Sequence, residues 1–286
     1  MNNQEPGVVS IQSQLVFGHA GNSAGVFPLE HAGIPVSAVP TVLFSNNPHY
    51  PSMQGDVIAP DTVGALLDAL LERQPPANTR AVLSGFLGAA GIPPRIADFV
   101  ERVKAGNPSA PYVLDPVMGS HEVGDVVDAA TFAGIRDTLL PLADIIVPND
   151  YELHRLTAMP TDCPAAARAA ADTLLADGAR EVVVTGIGAG DAATLDCIAV
   201  TATGAWQVET PRLPVQPVGT GDVVTALYTA VRLQEGSPAD ALATAVSGTF
   251  ALVEGMHERG LRELPLVQMA PSLYQPAQRF EAVALR

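Results

Sequence analysis

Gly219-Thr220-Gly221-Asp222 is the segment with the most chemical content. It follows Pro217 and opens an apolar run, Val223-Val224-Thr225-Ala226-Leu227, that reads as a helix. Glycines let backbone amides turn toward a ligand without a Cβ in the way. A helix N-terminus adds unpaired N–H groups and a partial positive charge. Together these build an anion hole suited to the charge that develops on a transferred phosphoryl group. Asp222, in the first turn, is placed to accept a proton from an attacking hydroxyl. The tetrapeptide also suits an ordinary helix start, where Asp is favourable. An aspartate there is expected to have a low pKa and to be a weak base, which a loose phosphoryl transition state tolerates.

Two further carboxylates stand at strand ends. Asp115, in Asp115-Pro116-Val117-Met118-Gly119, follows an apolar strand, a place suited to holding magnesium directly or through water. It equally suits an Asp-Pro turn. In Pro148-Asn149-Asp150-Tyr151-Glu152, Asn149 can cap a helix with Glu152 near N3, as in a capping box. The chemical alternative makes Glu152 a second oxygen group near magnesium or its water shell. Gly186-Ile187-Gly188-Ala189-Gly190 suggests dinucleotide binding only superficially. It lacks the G-x-G-x-x-G spacing and no clear helix follows, so it reads as a turn.

The elements that must position these groups follow from short apolar runs alternating with amphipathic segments. Strands are expected over 8–12, 36–43, 81–84, 112–115, 145–147 and 181–185. Helices are expected over 22–32, 61–73, 93–105, 131–140, 150–156 and 164–177. Strand then helix, repeated, is the pattern of a mostly parallel sheet covered on both faces, an α/β fold. Segments 194–200 and 206–209 flank Thr201-Ala202-Thr203-Gly204 and read as an antiparallel hairpin, followed by helices over 220–235 and 238–254. No repeat or long polar linker divides the 286 residues, so one domain over 1–286 is expected. Ligands of open α/β sheets sit beyond the carboxyl ends of the strands. The polar residues there are Ser13 and Gln14, Ser45-Asn46-Asn47, Asp115, Asn149 and Glu152, and Thr185-Gly186.

Composition excludes several classes. Asp and Glu number 30 against 15 Lys and Arg, a formal net charge of −15. Such a surface disfavours nucleic acid and anionic membranes. The single lysine, Lys104, reads as the exposed end of a helix. There is no Gly-rich turn ending in Lys-Ser or Lys-Thr, hence no Walker A loop, and no buried lysine for a Schiff base. The six histidines form no i, i+4 pair, so a histidine zinc site is not expected. Cys163 and Cys197 lack metal-ligand spacing and read as reduced side chains. No signal-peptide pattern and no run of about 18 apolar residues is evident, so a cytoplasmic protein is expected.

Several strings resemble one family. Ile11-Gln12-Ser13, Gly18-His19-Ala20-Gly21-Asn22-Ser23-Ala24 and Phe44-Ser45-Asn46 look like the N-terminal half of pyridoxal kinases. Ser84-Gly85-Phe86-Leu87-Gly88, Asp115–Gly119 and Pro217–Asp222 continue the likeness in the same order, over about 7–260. The G-T-G-D junction marks the wider ribokinase-like superfamily; the 18–24 string with 44–46 points to its dimeric pyridoxal kinase branch. The resemblance implies phosphorylation of the 5′-hydroxymethyl of pyridoxal by magnesium ATP, in a homodimer. It implies Asp222 as catalytic base and Gly219, Thr220 and Gly221 as the anion hole. Asp115 and Glu152 would lie near phosphates and Mg2+, with Thr185 and Val218 toward the nucleotide. Ser13, Val42, Phe44, His49 and Phe86 would meet the substrate, and 119–127 would form a mobile flap over ATP. With one lysine, magnesium and the helix N-terminus would offset most of the triphosphate charge.

There are departures. Pro48 stands where many members carry a substrate-binding Thr, so either His49 replaces that contact or pyridoxal is held more loosely. Phe86 replaces a frequent Tyr, and Val215 a frequent basic residue. A hydroxymethylpyrimidine kinase on the same fold is the nearest rival, and a non-catalytic vitamin B6-binding protein the rival of another class.

Overall fold

The computed structural model describes residues 5–188 and 193–285. Its strands are β1 (Gly7–Leu15), β2 (Val36–Phe44), β3 (Gly55–Val57), β4 (Thr79–Ser84), β5 (Tyr112–Leu114), β6 (Gly119–Ser120), β7 (Gly124–Asp125), β8 (Ile145–Ile146), β9 (Glu181–Ile187), β10 (Thr194–Thr201), β11 (Gly204–Pro211) and β12 (Val283–Ala284). Its helices are α1 (Asn22–His31), α2 (Pro60–Arg73), α3 (Ile92–Gly106), α4 (Ala129–Gly134), α5 (Asp150–Thr157), α6 (Pro164–Ala176), α7 (Thr220–Leu233) and α8 (Pro238–Glu258).

Strand order in the ten-stranded sheet is β12-β11-β10-β9-β8-β5-β4-β1-β2-β3. The centre, β9 through β2, is parallel, as the strand–helix alternation requires. β10 to β12 add antiparallel strands at one edge and β3 at the other. Residues alternate between faces. Val9, Ile11, Val82, Leu114, Ile146 and Val182 enter one core with α3 and α6. Val8, Ala81, Leu83, Val113, Ile145 and Val183 enter the other with α7 and α8. The period of two explains why both faces of the central strands are apolar and why they read as continuous runs.

Three expectations are corrected. The helix expected over 131–140 is broken: α4 gives way to a π-turn at Ile135–Leu139 and a 3-10 turn at Leu140–Leu142. Pro141 has no N–H with which to continue an α-helix. Lys104 is not a free surface cation. Its Nζ lies 2.7 Å from Asp144 Oδ2 and donates to Leu142 O at 2.7 Å, fastening α3 to the entry of β8. The short strands β3, β6, β7 and β12 carry no apolar run and were not expected. In the 186–190 glycine string, Ala189 and Gly190 lie outside the described residues. Among the described residues no helix is long and apolar enough to cross a membrane.

Candidate active site

Gly219 precedes α7 in a left-handed conformation, φ 86°, ψ 4°. A Cβ there would lie 2.1 Å from His19 O. The position therefore needs glycine twice, for its backbone and for the loop packed on it. That loop, Gly18–Gly21, is the turn between β1 and α1. At Gly21 (φ 57°) a Cβ would lie 2.1 Å from Ser13 Oγ. The Gly21 N–H also donates to the Asp222 carboxylate. Ser13, Gly21, Gly219 and Asp222 thus converge where the carboxyl end of β1 meets the N-terminus of α7. Thr220 and Gly221 form the first turn there, with Val218 half-buried before it.

Asp115 reaches the same place from the end of β5. A Cβ on Gly221 would lie 3.9 Å from Asp115 Oδ2, which accepts a 3.0 Å bond from Thr225 Oγ1 on α7. Burial pushes the Asp115 pKa well above the usual carboxylate range, and the neighbouring Glu152 and Asp222 charges raise it further. Burial likewise pushes Asp222 up to about 6, although the Gly21 and Asp222 N–H groups oppose it. This corrects the expectation of a low Asp222 pKa: loss of solvent outweighs the helix N-terminus.

Glu152, 3% exposed, completes a capping box. Its Oε2 accepts from Asn149 N at 2.9 Å and its Oε1 from Met118 N at 2.9 Å and Gly119 N at 3.4 Å. Burial still pushes it up to about 7, against those backbone donors. Asn149 Nδ2 donates to Gly119 O at 2.9 Å, and Asn149 bridges to Thr185 on β9. Thr185 N in turn donates to Pro148 O at 3.0 Å. Three strand ends are tied together there.

The donor set suits a divalent cation. The Glu152 and Asp222 charges act unfavourably on ionised Asp115, and a bound cation would relieve that repulsion. Among the described residues no three His, Cys, Asp or Glu converge as a cage. Waters and phosphate oxygens would complete a magnesium shell, as is usual for that ion.

Of the residues expected to meet the substrate, Phe44 and Phe86 are half-buried at the ends of β2 and β4. Thr41 Oγ1 donates to Phe86 O at 2.6 Å and fixes that turn. Val42 is fully buried; its Cγ1 would lie 2.4 Å from a Cβ on Gly88, so it backs the wall. His49 is exposed, its N–H donating to Asn47 Oδ1 at 3.0 Å. Residues 119–125 form the β6–β7 hairpin. It is latched to α5 by Tyr151 OH on Asp125 Oδ1 at 2.7 Å and by the Arg155–Asp125 pair at 3.1 Å. A cavity of about 450 Å³ lies between Glu122 and 212–216.

A family model described as phosphomethylpyrimidine kinase matches residues 17–263. A pyridoxal kinase PdxY of Leifsonia xyli subsp. xyli is 41% identical over 96% of this chain and 97% of its own. Another, from Rubrobacter xylanophilus, is 38% identical over 96% and 95%. The chain belongs to the pyridoxal kinase family. The solved pyridoxal kinase of Leishmania donovani in complex with ADP and pyridoxine superposes with a TM-score of 0.91 at 26% identity, covering 99% of this chain and all of that one.

Within this pyridoxal kinase fold, four positions escaped the sequence reading of the site. Gln12 is buried, donates from Nε2 to Ser10 Oγ at 3.0 Å, and has Oε1 buried without a hydrogen-bond partner. Asn22 on α1 accepts from Ser10 Oγ at 2.8 Å and donates to Gln12 O at 3.1 Å, setting the line of β1 next to Ser13. Both lie inside strings already quoted for the resemblance. Glu263, which binds the loops around Ser13 and Phe44, has no signal in the sequence. Arg212 lies at the cavity that Val215 also lines; its Nη1 is buried without a hydrogen-bond partner.

Proposed function

We propose that Asp222 takes the proton from the 5′-hydroxymethyl oxygen of pyridoxal as that oxygen attacks the γ-phosphorus of ATP. The enzyme transfers a phosphoryl group from ATP to pyridoxal, giving pyridoxal 5′-phosphate and ADP. The new O–P bond forms as the bond to the β-phosphate oxygen breaks, and ADP leaves with that electron pair. The observation that carries this reading is the convergence of Ser13, Gly21, Gly219 and Asp222 at one point.

Ser13 orients the polar edge of the pyridine ring, with Phe44 and Phe86 beside it and Val42 behind. His49 is read as the residue that meets the substrate where Pro48 cannot. The N–H groups of Gly219, Thr220 and Gly221 receive the developing phosphoryl charge. Thr185 and Val218 face the nucleotide. Magnesium, when bound, neutralises phosphate charge. Asp115 is its direct candidate ligand; Glu152, with both oxygens held by backbone N–H groups, acts through the water shell. The continuous sheet supports one kinase domain over 1–286. Val16, Phe17, Leu43 and Val57, exposed where β1, β2 and β3 adjoin, support a homodimer. The free cysteines Cys163 and Cys197 support a cytoplasmic setting.

The matching family model is described by a pyrimidine kinase, so the test compares both rings. Coupled ADP release is followed with pyridoxal, pyridoxine and hydroxymethylpyrimidine, with and without magnesium. Turnover on pyridoxal that falls at least about 100-fold in chelator is expected. Turnover on the pyrimidine alone would keep the mechanism and replace the substrate.

A further inference from the structure

Glu263 lies beyond α8, far in sequence from the site, yet one carboxylate binds both of the site's loops. Its Oε2 accepts from His19 N at 2.9 Å. Its Oε1 accepts from Asn47 Nδ2 at 3.1 Å and from Tyr50 OH at 2.8 Å. A Cβ on Gly18 would lie 2.5 Å from Glu263 Oε2, and Gly18 has φ 87°, so glycine there is what admits the carboxylate. Tyr50 is held further by the edge of Phe17, centroids 5.8 Å apart, and by Arg262 over its ring at 5.8 Å.

Each loop leads to a different part of the site. His19 O packs on Gly219, and Gly21 two residues later donates to Asp222. Asn47 accepts the N–H of His49 in the turn that follows Phe44. Hydrogen bonds to an ionised acceptor are about twice as strong as neutral ones. A single carboxylate with three donors therefore fixes the distance between these loops.

We infer that Glu263 is a positioning residue that holds the pyridoxal-side turn, 45–50, in register with the phosphoryl-transfer end of α7. This rests on the site assignment proposed above. Its signature is a split between substrates. On the site assignment above, pyridoxal would lie between the two loops and ATP on the side of Asp115 and Thr185.

The test uses the full-length enzyme with Glu263→Ala, Glu263→Gln and Tyr50→Phe. KM for each substrate, kcat, Tm and the nucleotide-free pyridoxal Kd are measured. For Glu263→Ala, pyridoxal KM and Kd are expected to rise about tenfold and kcat to fall by a similar factor, with ATP KM within about twofold. Glu263→Gln keeps one acceptor oxygen and should lie between wild type and Ala. Tyr50→Phe removes one donor on the substrate side alone, so pyridoxal KM should rise about threefold and by more than kcat falls. If Glu263→Ala does not fold, Tyr50→Phe decides, since it deletes only a hydroxyl. Pyridoxal KM and Kd within twofold of wild type, or ATP and pyridoxal KM rising together as Tm falls, would overturn the inference. Asp222→Asn, run in parallel, separates the two claims: if it remains active, the site assignment itself fails.

Discussion

Asp222, Asp115 and Glu152 form a cluster that is electrostatically costly and chemically useful. All three pKa values are raised, with burial as the largest cause each time. A base poised nearer neutrality takes a proton better than one at the usual carboxylate value. The sign of the pH effect follows. Asp222 is protonated below about 6, so kcat/KM should fall as pH drops through that value. Stability runs the other way. A carboxylate whose folded pKa exceeds its unfolded value binds more protons when folded. Stability should therefore decline as pH rises from about 4, the unfolded value, to about 7, where Glu152 ionises. Removing one charge should relieve this. Asp115→Asn retains an oxygen for Thr225 Oγ1, and its Tm in the absence of ligand should rise by about 2–4 °C, on the scale of 1 kcal/mol, while turnover collapses. Calorimetry beside the rate assay checks both; a lower Tm would contradict the mutual repulsion.

At the scale of elements, the site is two glycine-rich junctions pressed together, Gly18–Gly21 before α1 and Gly219–Gly221 at the start of α7. Each closes on a neighbour's backbone or carboxylate oxygen. Gly219→Ala must accommodate a Cβ 2.1 Å from His19 O at φ 86°, so the His19 loop has to move. A Tm several degrees lower and a kcat at least about tenfold lower are expected. Undiminished kcat would show that the loop is not seated against α7. Gly33→Ala is the control, since a Cβ there meets nothing within 4 Å while its φ of 77° carries the same backbone strain.

These elements were largely legible in the sequence because central strands bury both faces and helices only one. The 112–115 and 181–185 runs could hardly be anything else. The Gly55–Val57 and Val283–Ala284 strands were not legible, because a short, exposed edge strand needs no apolar pattern. The broken helix after α4 depends on local packing that periodicity does not report. The site divides in the same way. Asp222 and Asp115 follow from their place at element ends. Glu263 does not, since its partners lie 213 to 244 residues away and a lone Glu after a helix has no local meaning.

At the scale of the molecule, an acidic protein of net charge −15 handles a polyanionic substrate. Its one lysine is occupied by Asp144 and Leu142, so the structure directs no lysine at the phosphates. On the proposed reading, the helix N-terminus and a bound divalent cation offset that charge. Exposed Val16 and Phe17, 77% and 58% accessible, continue the β2–β3 edge as an apolar face. Light scattering should give twice the chain mass, and Phe17→Glu should shift it toward the monomer; a wild-type monomer would contradict the dimer. The central claim is that Asp222 removes the hydroxyl proton during phosphoryl transfer. Single-turnover kinetics of Asp222→Asn with saturating magnesium ATP and pyridoxal test it most directly. The expected result is intact pyridoxal binding with a phosphoryl-transfer rate lower by about 100-fold or more. A rate within a few-fold of wild type would contradict it and move the base elsewhere in the site.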